Sequence, residues 1–347
     1  MLDDLAPHLV RAGLGALAGL VLGYAARSSR FCTLGAIEDA VYARDTRRLR
    51  AWGLALAVAI VGTHALAVGF DFDPGRAIHA GPRVEWAGAL VGGLMFGFGM
   101  ALVGTCGFGS LLRLGGGDLK ALMTVLILGA SAMMAMRGLT GIARLHVLDP
   151  LAATLPQASQ RLPVVLGLTE AGGAALALAL AAVLAAISVA GTGLRRAGRL
   201  PWAAVVIGLM IVAGWWATGV AGEDPFEARR VESFSFVAPV GETLLFAMLA
   251  SGMRLDFPVG AVAGVLVGAW LAARLHGQFR WEGPDDSREM KRHAFGAFLM
   301  GTGGVAALGC TIGQGLTGLS ILSVGSLLAM TAIFVGARLG LYWLIER

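Results

Sequence analysis

Charge is scarce in this chain. Only 14% of its 347 residues are Asp, Glu, Lys or Arg, against about 25% in an ordinary soluble domain. With 57% hydrophobic residues, it has too little polar surface for a soluble domain of this length and belongs in lipid. Cysteine is scarcer still. Cys32, Cys106 and Cys310 are odd in number and too far apart for a C-x-x-C pair, which argues against a disulfide framework. His64, His79, His146, His276 and His293 show no ligand spacing to any of these cysteines, and His8 is terminal, so no metal is expected. No G-x-x-x-x-G-K-[ST] phosphate loop is present, which argues against ATP-driven pumping by this chain alone; no cofactor is expected. The formal charge of +5 comes mostly from arginines clustered between apolar runs. That is the pattern of membrane-flanking loops, and no nucleic-acid partner is expected.

What is abundant is long apolar sequence. Apolar segments run over roughly 9–26, 51–70, 86–103, 121–136, 164–191, 202–222, 240–252, 259–275, 293–308 and 324–345, and about 20 residues suffice to span a bilayer. The expectation is an all-α integral membrane protein with about 9–10 transmembrane helices. Several segments are short and interrupted by glycine, as in Gly104-Thr-Cys-Gly-Phe-Gly109 and Gly309-Cys-Thr-Ile-Gly-Gln-Gly315. Such breaks predict discontinuous or re-entrant half-helices. Asp3 and Asp4 stand where a signal peptide carries positive charge, so the first apolar run is expected to stay in the mature protein. Arginines at 44, 47, 48 and 50 and at 195, 196 and 199 mark two loops as cytoplasmic. Counting spans from them puts the N-terminus outside, and also the loop 276–292, despite Arg280, Arg288, Lys291 and Arg292; Glu282, Asp285, Asp286 and Glu289 accompany those bases.

A repeated frame surrounds the cysteines. Glycine lies nine positions before each and three after: Gly23, Cys32, Gly35; Gly97, Cys106, Gly109; Gly301, Cys310, Gly313. Among 52 glycines one coincidence means little, but the frame holds at every cysteine. A degenerate fourth copy reads Asp256-Phe-Pro-Val-Gly260, with Phe257 in the cysteine's place. The chain then forms a single transmembrane unit, 1–347, with two pseudo-symmetric halves of about 1–145 and 200–347. Interrupted segments at corresponding positions point to a substrate site near the bilayer midplane.

Irregular backbone inside a membrane is tolerated only where it is buried in protein or lines a wet cavity. Each Cys-x-x-Gly turn is therefore expected to border a path, where free N–H groups and a positive helix end favour an anion. Glycine lets that anion approach the backbone. A thiol, with a reference pKa of about 8.5, touches an anion without trapping it as a fixed cation would. The candidate path residues are Cys32, Cys106, Cys310, Gly35, Gly107, Gly109, Gly309 and Gly313. The competing reading is that each cysteine is a small hydrophobe in a glycine-rich helix contact. Arg30, Glu38, Asp39, Glu242 and Asp256 are candidate accessory groups, together with Glu170 and the neighbour of Asp256, Arg254, since intramembrane charge is functional by default. For those near an interface an ion-paired structural role competes.

The stretches Arg30-Phe-Cys-Thr-Leu-Gly35, continuing to Gly-Ala-Ile-Glu-Asp39, Phe96-Gly-Phe-Gly-Met-Ala-Leu-Val-Gly-Thr-Cys-Gly-Phe-Gly109 and Leu308-Gly-Cys-Thr-Ile-Gly313 resemble the YeeE/YedE sulfur-transport family across essentially the whole chain. The resemblance implies a multi-pass protein of the bacterial inner membrane, with pseudo-symmetric halves. It further implies a permease, not an enzyme, that passes thiosulfate or a related small sulfur anion inward through S–H contacts at Cys32, Cys106 and Cys310. A small cytosolic sulfur-carrier protein is the implied partner. Other branches of the family handle selenium compounds, and a membrane-embedded thiol sulfurtransferase is the alternative from a different class. Such an enzyme needs a thiol activated by a nearby base or cation, and Arg30 beside Cys32 is the one suggestive neighbour.

Overall fold

A computed structural model describes residues 6–70, 72–190, 193–223, 230–283 and 286–346; Asp3, Asp4 and Asp285 lie outside these described residues. The helices are α1 (Pro7–Ser29), α2 (Thr33–Tyr42), α3 (Arg47–Gly69), α4 (Trp86–Val103), α5 (Gly107–Gly115), α6 (Leu119–Arg137), α7 (Leu139–Val147), α8 (Leu162–Val165), α9 (Glu170–Val189), α10 (Leu200–Trp216), α11 (Ala238–Leu249), α12 (Phe257–Leu275), α13 (Ser287–Ala306) and α14 (Val324–Ile345). A π turn extends α10 over Ala217–Ala221 and another occupies Gly313–Gly318. Two short antiparallel strands, β1 (Arg83–Val84) and β2 (Ala153–Thr154), pair at one end.

Eight helical stretches among the described residues are long and apolar enough to cross a membrane. The protein is thus an all-α, multi-pass membrane protein. Two expected spans fall outside that set for different reasons. α11 has 12 residues, too few at about 1.5 Å rise per residue to cross. α13 carries Arg288, Glu289, Lys291 and Arg292 in its first turns, but packs lengthwise on α4, with Gly99 against Gly296 and Gly88 against Ala306, and so runs the same distance.

Glycine sets how these helices meet. Gly15, Gly19 and Gly23 of α1 face Phe257, Ala261 and Val265 of α12, while Gly260, Gly264 and Gly268 face Ala12, Ala16 and Leu20. The numbers rise together, so the two helices are parallel. A Cβ on Gly19 would lie 2.5 Å from the Ala261 carbonyl oxygen, a contact no real side chain makes. This is small-residue packing, which replaces the hydrophobic effect as the cause of association in lipid. α4 and α14 are parallel in the same way through Gly93, Gly97, Gly336 and Gly340. The glycine nine positions before each cysteine has its cause here: Gly23 meets Val265, Gly97 meets Ile333 and Ala337, and Gly301 meets Leu128 and Ser131.

Two separate sets of loop contacts define the ends of the bundle. At one end the Leu119 N–H donates to the Glu282 carbonyl at 2.9 Å and the Arg280 N–H to the Gly116 carbonyl at 3.1 Å; there too Arg199 meets His276, Arg50 meets the Ala190 carbonyl, and Tyr42 donates to Glu346 at 2.8 Å. At the other end Leu162 donates to the Leu322 carbonyl at 2.8 Å and Val231 to Arg76 at 3.4 Å. The loop 276–292 therefore shares an end with the arginine loops at 44–50 and 195–199, which corrects the position expected from counting spans. The count failed because the apolar run 240–252 does not cross. Gly241 packs on Gly129 and Met133 of α6, so α11 starts near the middle of the bundle and returns to the end opposite the arginines.

Candidate substrate path

Each cysteine sits at a helix break and caps the half-helix that follows. The sulfur of Cys32 accepts the Gly35 N–H at 3.5 Å, that of Cys106 the Gly109 N–H at 3.4 Å, and that of Cys310 the Gly313 N–H at 3.4 Å. The preceding turn has a common form as well. The residue two positions before each cysteine is left-handed: Arg30 at φ 55°, Gly104 at 78° and Leu308 at 58°. A left-handed residue closes the helix before it by turning N–H groups back on the last carbonyls. Phe31 donates to Ala26, Gly104 to Met100, and Gly309 to Gly304. Only Gly104 adopts this conformation without steric cost; Arg30 and Leu308 are held in it by the packing around them.

With its lone pair turned to the i+3 N–H, each thiol still has its own hydrogen to donate. Cys106 and Cys310 are buried and Cys32 is half-buried. Gly107, the first residue of α5, lies against Leu128 at the middle of α6, while Cys32 lines an open cavity at the arginine-rich end. The half-helix after Cys106 starts at Gly107, directly after the residue whose sulfur is the cap. The glycine three positions after each cysteine leaves room for a polar group: the guanidinium of Arg48 at Gly35, the hydroxyl of Thr105 at Gly109, and the hydroxyl of Ser235 at Gly313. Ser235 Oγ is 3.9 Å from Cys310 Sγ. Thr311, fully buried, turns its hydroxyl toward Cys106. Gly309 lies in the turn before Cys310, against Gln314.

The stretch before α11 reaches into this centre. Phe236 lies 4.8 Å, ring centre to ring centre, from Phe108, Phe234 lies 6.1 Å from Phe236, and Phe257 lies 5.3 Å from Phe234. The fourth copy of the frame does not form a half-helix. Asp256 caps α12 by accepting the Phe257 N–H at 2.8 Å, and α12 runs on for 19 residues. A carboxylate cap starts a full span there. The segment that faces the cysteines is instead 234–236, which has no cysteine and no glycine frame.

The accessory residues divide. Arg30 and Glu38 line the cavity at Cys32, and Asp39 pairs with Arg48 at 3.3 Å just behind it. Asp256 is elsewhere: it holds Arg11 of α1 at 2.8 and 3.0 Å, tying α1 to the start of α12. Glu242 lies on α11, where Arg137 and Asp256 are its charged neighbours. Glu170 is in the exposed first turn of α9. Sequence reasoning missed Thr105 and Thr311, whose signal was adjacency to a cysteine, and Ser235 and Phe236, which had none. It also missed Arg27, Arg48 and Arg113 around Cys32.

The chain is 27% identical over 327 residues to the thiosulfate transporter TsuA of Escherichia coli (strain K12), covering 87% of this chain and 86% of that protein. It is 25% identical over 345 residues to the thiosulfate transporter TsuA of Spirochaeta thermophila (strain ATCC 700085 / DSM 6578 / Z-1203), covering 96% and 98% respectively. The model of a family described as sulphur transport matches residues 28–339, and with so much of the chain matched, this protein belongs to that sulphur-transport family, YeeE/YedE.

Proposed function

We propose that the protein is a permease of the bacterial inner membrane for thiosulfate, and that the anion passes Cys310, then Cys106, then Cys32. The observation that carries this reading is the threefold repetition of one device: a left-handed turn, a capping cysteine and a half-helix, twice buried and once at an open mouth. Each station offers an S–H donor and the positive end of a short helix, which favour a dianion. Among the described residues no fixed cation stands at the two buried cysteines, so the anion is held weakly enough to leave. The hydroxyls of Thr105, Ser235 and Thr311 supply further donors between them. In this reading the thiols and hydroxyls serve as donors, and the permease carries out no reaction on its cargo.

The arginine-rich end is the cytoplasmic one in this reading, by the excess of Lys and Arg in its loops. The two halves, about 1–145 and 200–347, are inverted copies. Support comes from direction: α4 leads to the Cys106 break while running parallel to α14 and antiparallel to α13, which leads to the Cys310 break. Inward movement of a dianion against a potential of 100 mV, negative inside, costs about 5 kcal/mol for its two charges. Net uptake therefore depends on removal of the anion at the cytoplasmic mouth, the task of a small sulfur-carrier protein. Uptake of sulfur-labelled thiosulfate by proteoliposomes holding only this protein tests the permease. Flux equal to that of empty vesicles rejects it.

A further inference from the structure

The cavity at Cys32 has a volume of about 440 Å3, and its wall is unlike the rest of the path. Four guanidinium groups line it, from Arg27, Arg30, Arg48 and Arg113, with Glu38 as the one carboxylate among the described lining residues. Three of the four are fixed in place. Arg27 donates to the Leu112 carbonyl at 3.0 Å and lies against Gly116, where a side chain would displace it. Arg113 donates to the Gly104 carbonyl at 3.1 Å, and Arg48 is held by Asp39 and by the space over Gly35. The Arg30 side chain has no hydrogen-bond or ion-pair partner among the described residues, so its fork is open to a ligand. Four positive charges less those of Glu38 and Asp39 leave two, the complement of a dianion.

Guanidinium forks recognise the oxygens of a tetrahedral anion in bidentate pairs, and read charge and oxygen geometry. They do not read sulfur. We propose that this basin is a binding station for divalent tetrahedral oxyanions in general, inorganic sulfate included, and that sulfate on the cytoplasmic side competes there with thiosulfate leaving the path. The competition rests on the permease reading above; the binding does not. Discrimination for sulfur then belongs to the buried thiols, and the mouth supplies charge selection and a brake set by the intracellular oxyanion.

Titration of the purified full-length protein in detergent with inorganic sulfate, at low ionic strength in chloride, tests the binding by calorimetry. The expected result is saturable binding by the wild type that weakens roughly tenfold or more in Arg30→Gln/Arg48→Gln. It should be unchanged in Arg195→Gln/Arg196→Gln, which removes two exposed charges from a loop at the same end. Absence of saturable sulfate binding by the wild type overturns the proposal, as does an equal loss in the two arginine variants. A second measurement compares thiosulfate uptake into vesicles with and without trapped sulfate. Slower uptake with sulfate supports the competition, and equal uptake overturns it. Vesicles that take up no thiosulfate under either condition reject the permease while leaving the sulfate titration to decide the site.

Discussion

Replacing Cys106 separates two roles that the structure gives one atom. Its sulfur caps α5 by accepting the Gly109 N–H at 3.4 Å in a site only 2% exposed, and its hydrogen can still donate to a passing anion. Cys106→Ala removes both. The cap is worth less than the roughly 1 kcal/mol of an oxygen cap, because sulfur is a weak acceptor, so a loss of about 0.5 kcal/mol in stability is expected. Losing a hydrogen bond to a charged partner costs about 1.5–3 kcal/mol, which slows passage roughly 10- to 100-fold. Cys106→Ser moves the two readouts in opposite directions. Serine is among the best capping residues, so the melting temperature in detergent should match or exceed that of the wild type. Its shorter bond to oxygen draws the donor back from the path and replaces a soft, polarisable atom with a hard one, so thiosulfate uptake should fall towards the alanine value. A serine variant that is stable and transports at the wild-type rate would refute the sulfur-specific mechanism. An alanine variant with an unchanged melt and unchanged uptake would refute both roles.

Three further outcomes follow from the packing. Arg11→Met removes the Arg11 guanidinium from the partly exposed Asp256 and should cost about 2 kcal/mol, under the roughly 3–5 kcal/mol of a fully buried pair; the double variant Arg11→Met/Asp256→Asn should melt higher than the single one, and a lower melt would refute the pairing argument. Gly264→Ala places a methyl group against the Ala16 carbonyl and should destabilise by about 1–3 kcal/mol, whereas Gly13→Ala on the same α1 meets nothing within 4 Å and should be neutral or slightly stabilising; equal melts would show that α1 and α12 do not pack through glycine. His79, in the connection between α3 and α4, donates through Nε2 to the Leu308 carbonyl at 3.2 Å while Nδ1 is buried without a partner among the described residues. Burial pushes its pKa down from 6.5 to about 4, so the unfolded chain binds the extra proton first. Stability should therefore fall as pH drops from about 6.5 to about 4, by roughly 3 kcal/mol in all, and His79→Gln should flatten that part of the pH–melting curve.

Fold class, the membrane, and the three breaks were legible in the sequence because each rests on local chemistry. A low fraction of charge forces burial in lipid whatever the topology, and a glycine-flanked cysteine inside an apolar run interrupts a helix wherever it sits. The frame of nine and three recurs at each cysteine, but its two glycines do different work: Gly97 admits Ile333 and Ala337 from a helix more than 200 residues away, while Gly109 makes room beside the capping sulfur. Only the tertiary structure could divide them, since one sees a distant helix and the other a neighbouring turn. It likewise decided that 240–252 returns to the end it came from, moving the loop 276–292 to the arginine-rich end. Hydropathy measures the cost of leaving water and is blind to whether a short helix crosses or turns back. Asp256 shows the same limit. Next to Phe257 and Gly260 it reads as an accessory group with an ion-paired role in competition, and the tertiary structure makes it a cap and an ion pair, because Arg11 reaches it from 245 residues away. The arginine basin was hidden for the opposite reason: Arg27, Arg30, Arg48 and Arg113 come from three stretches of chain, each an ordinary flanking charge alone, and they converge only because α1, α3 and α5 end or begin at one face of the bundle.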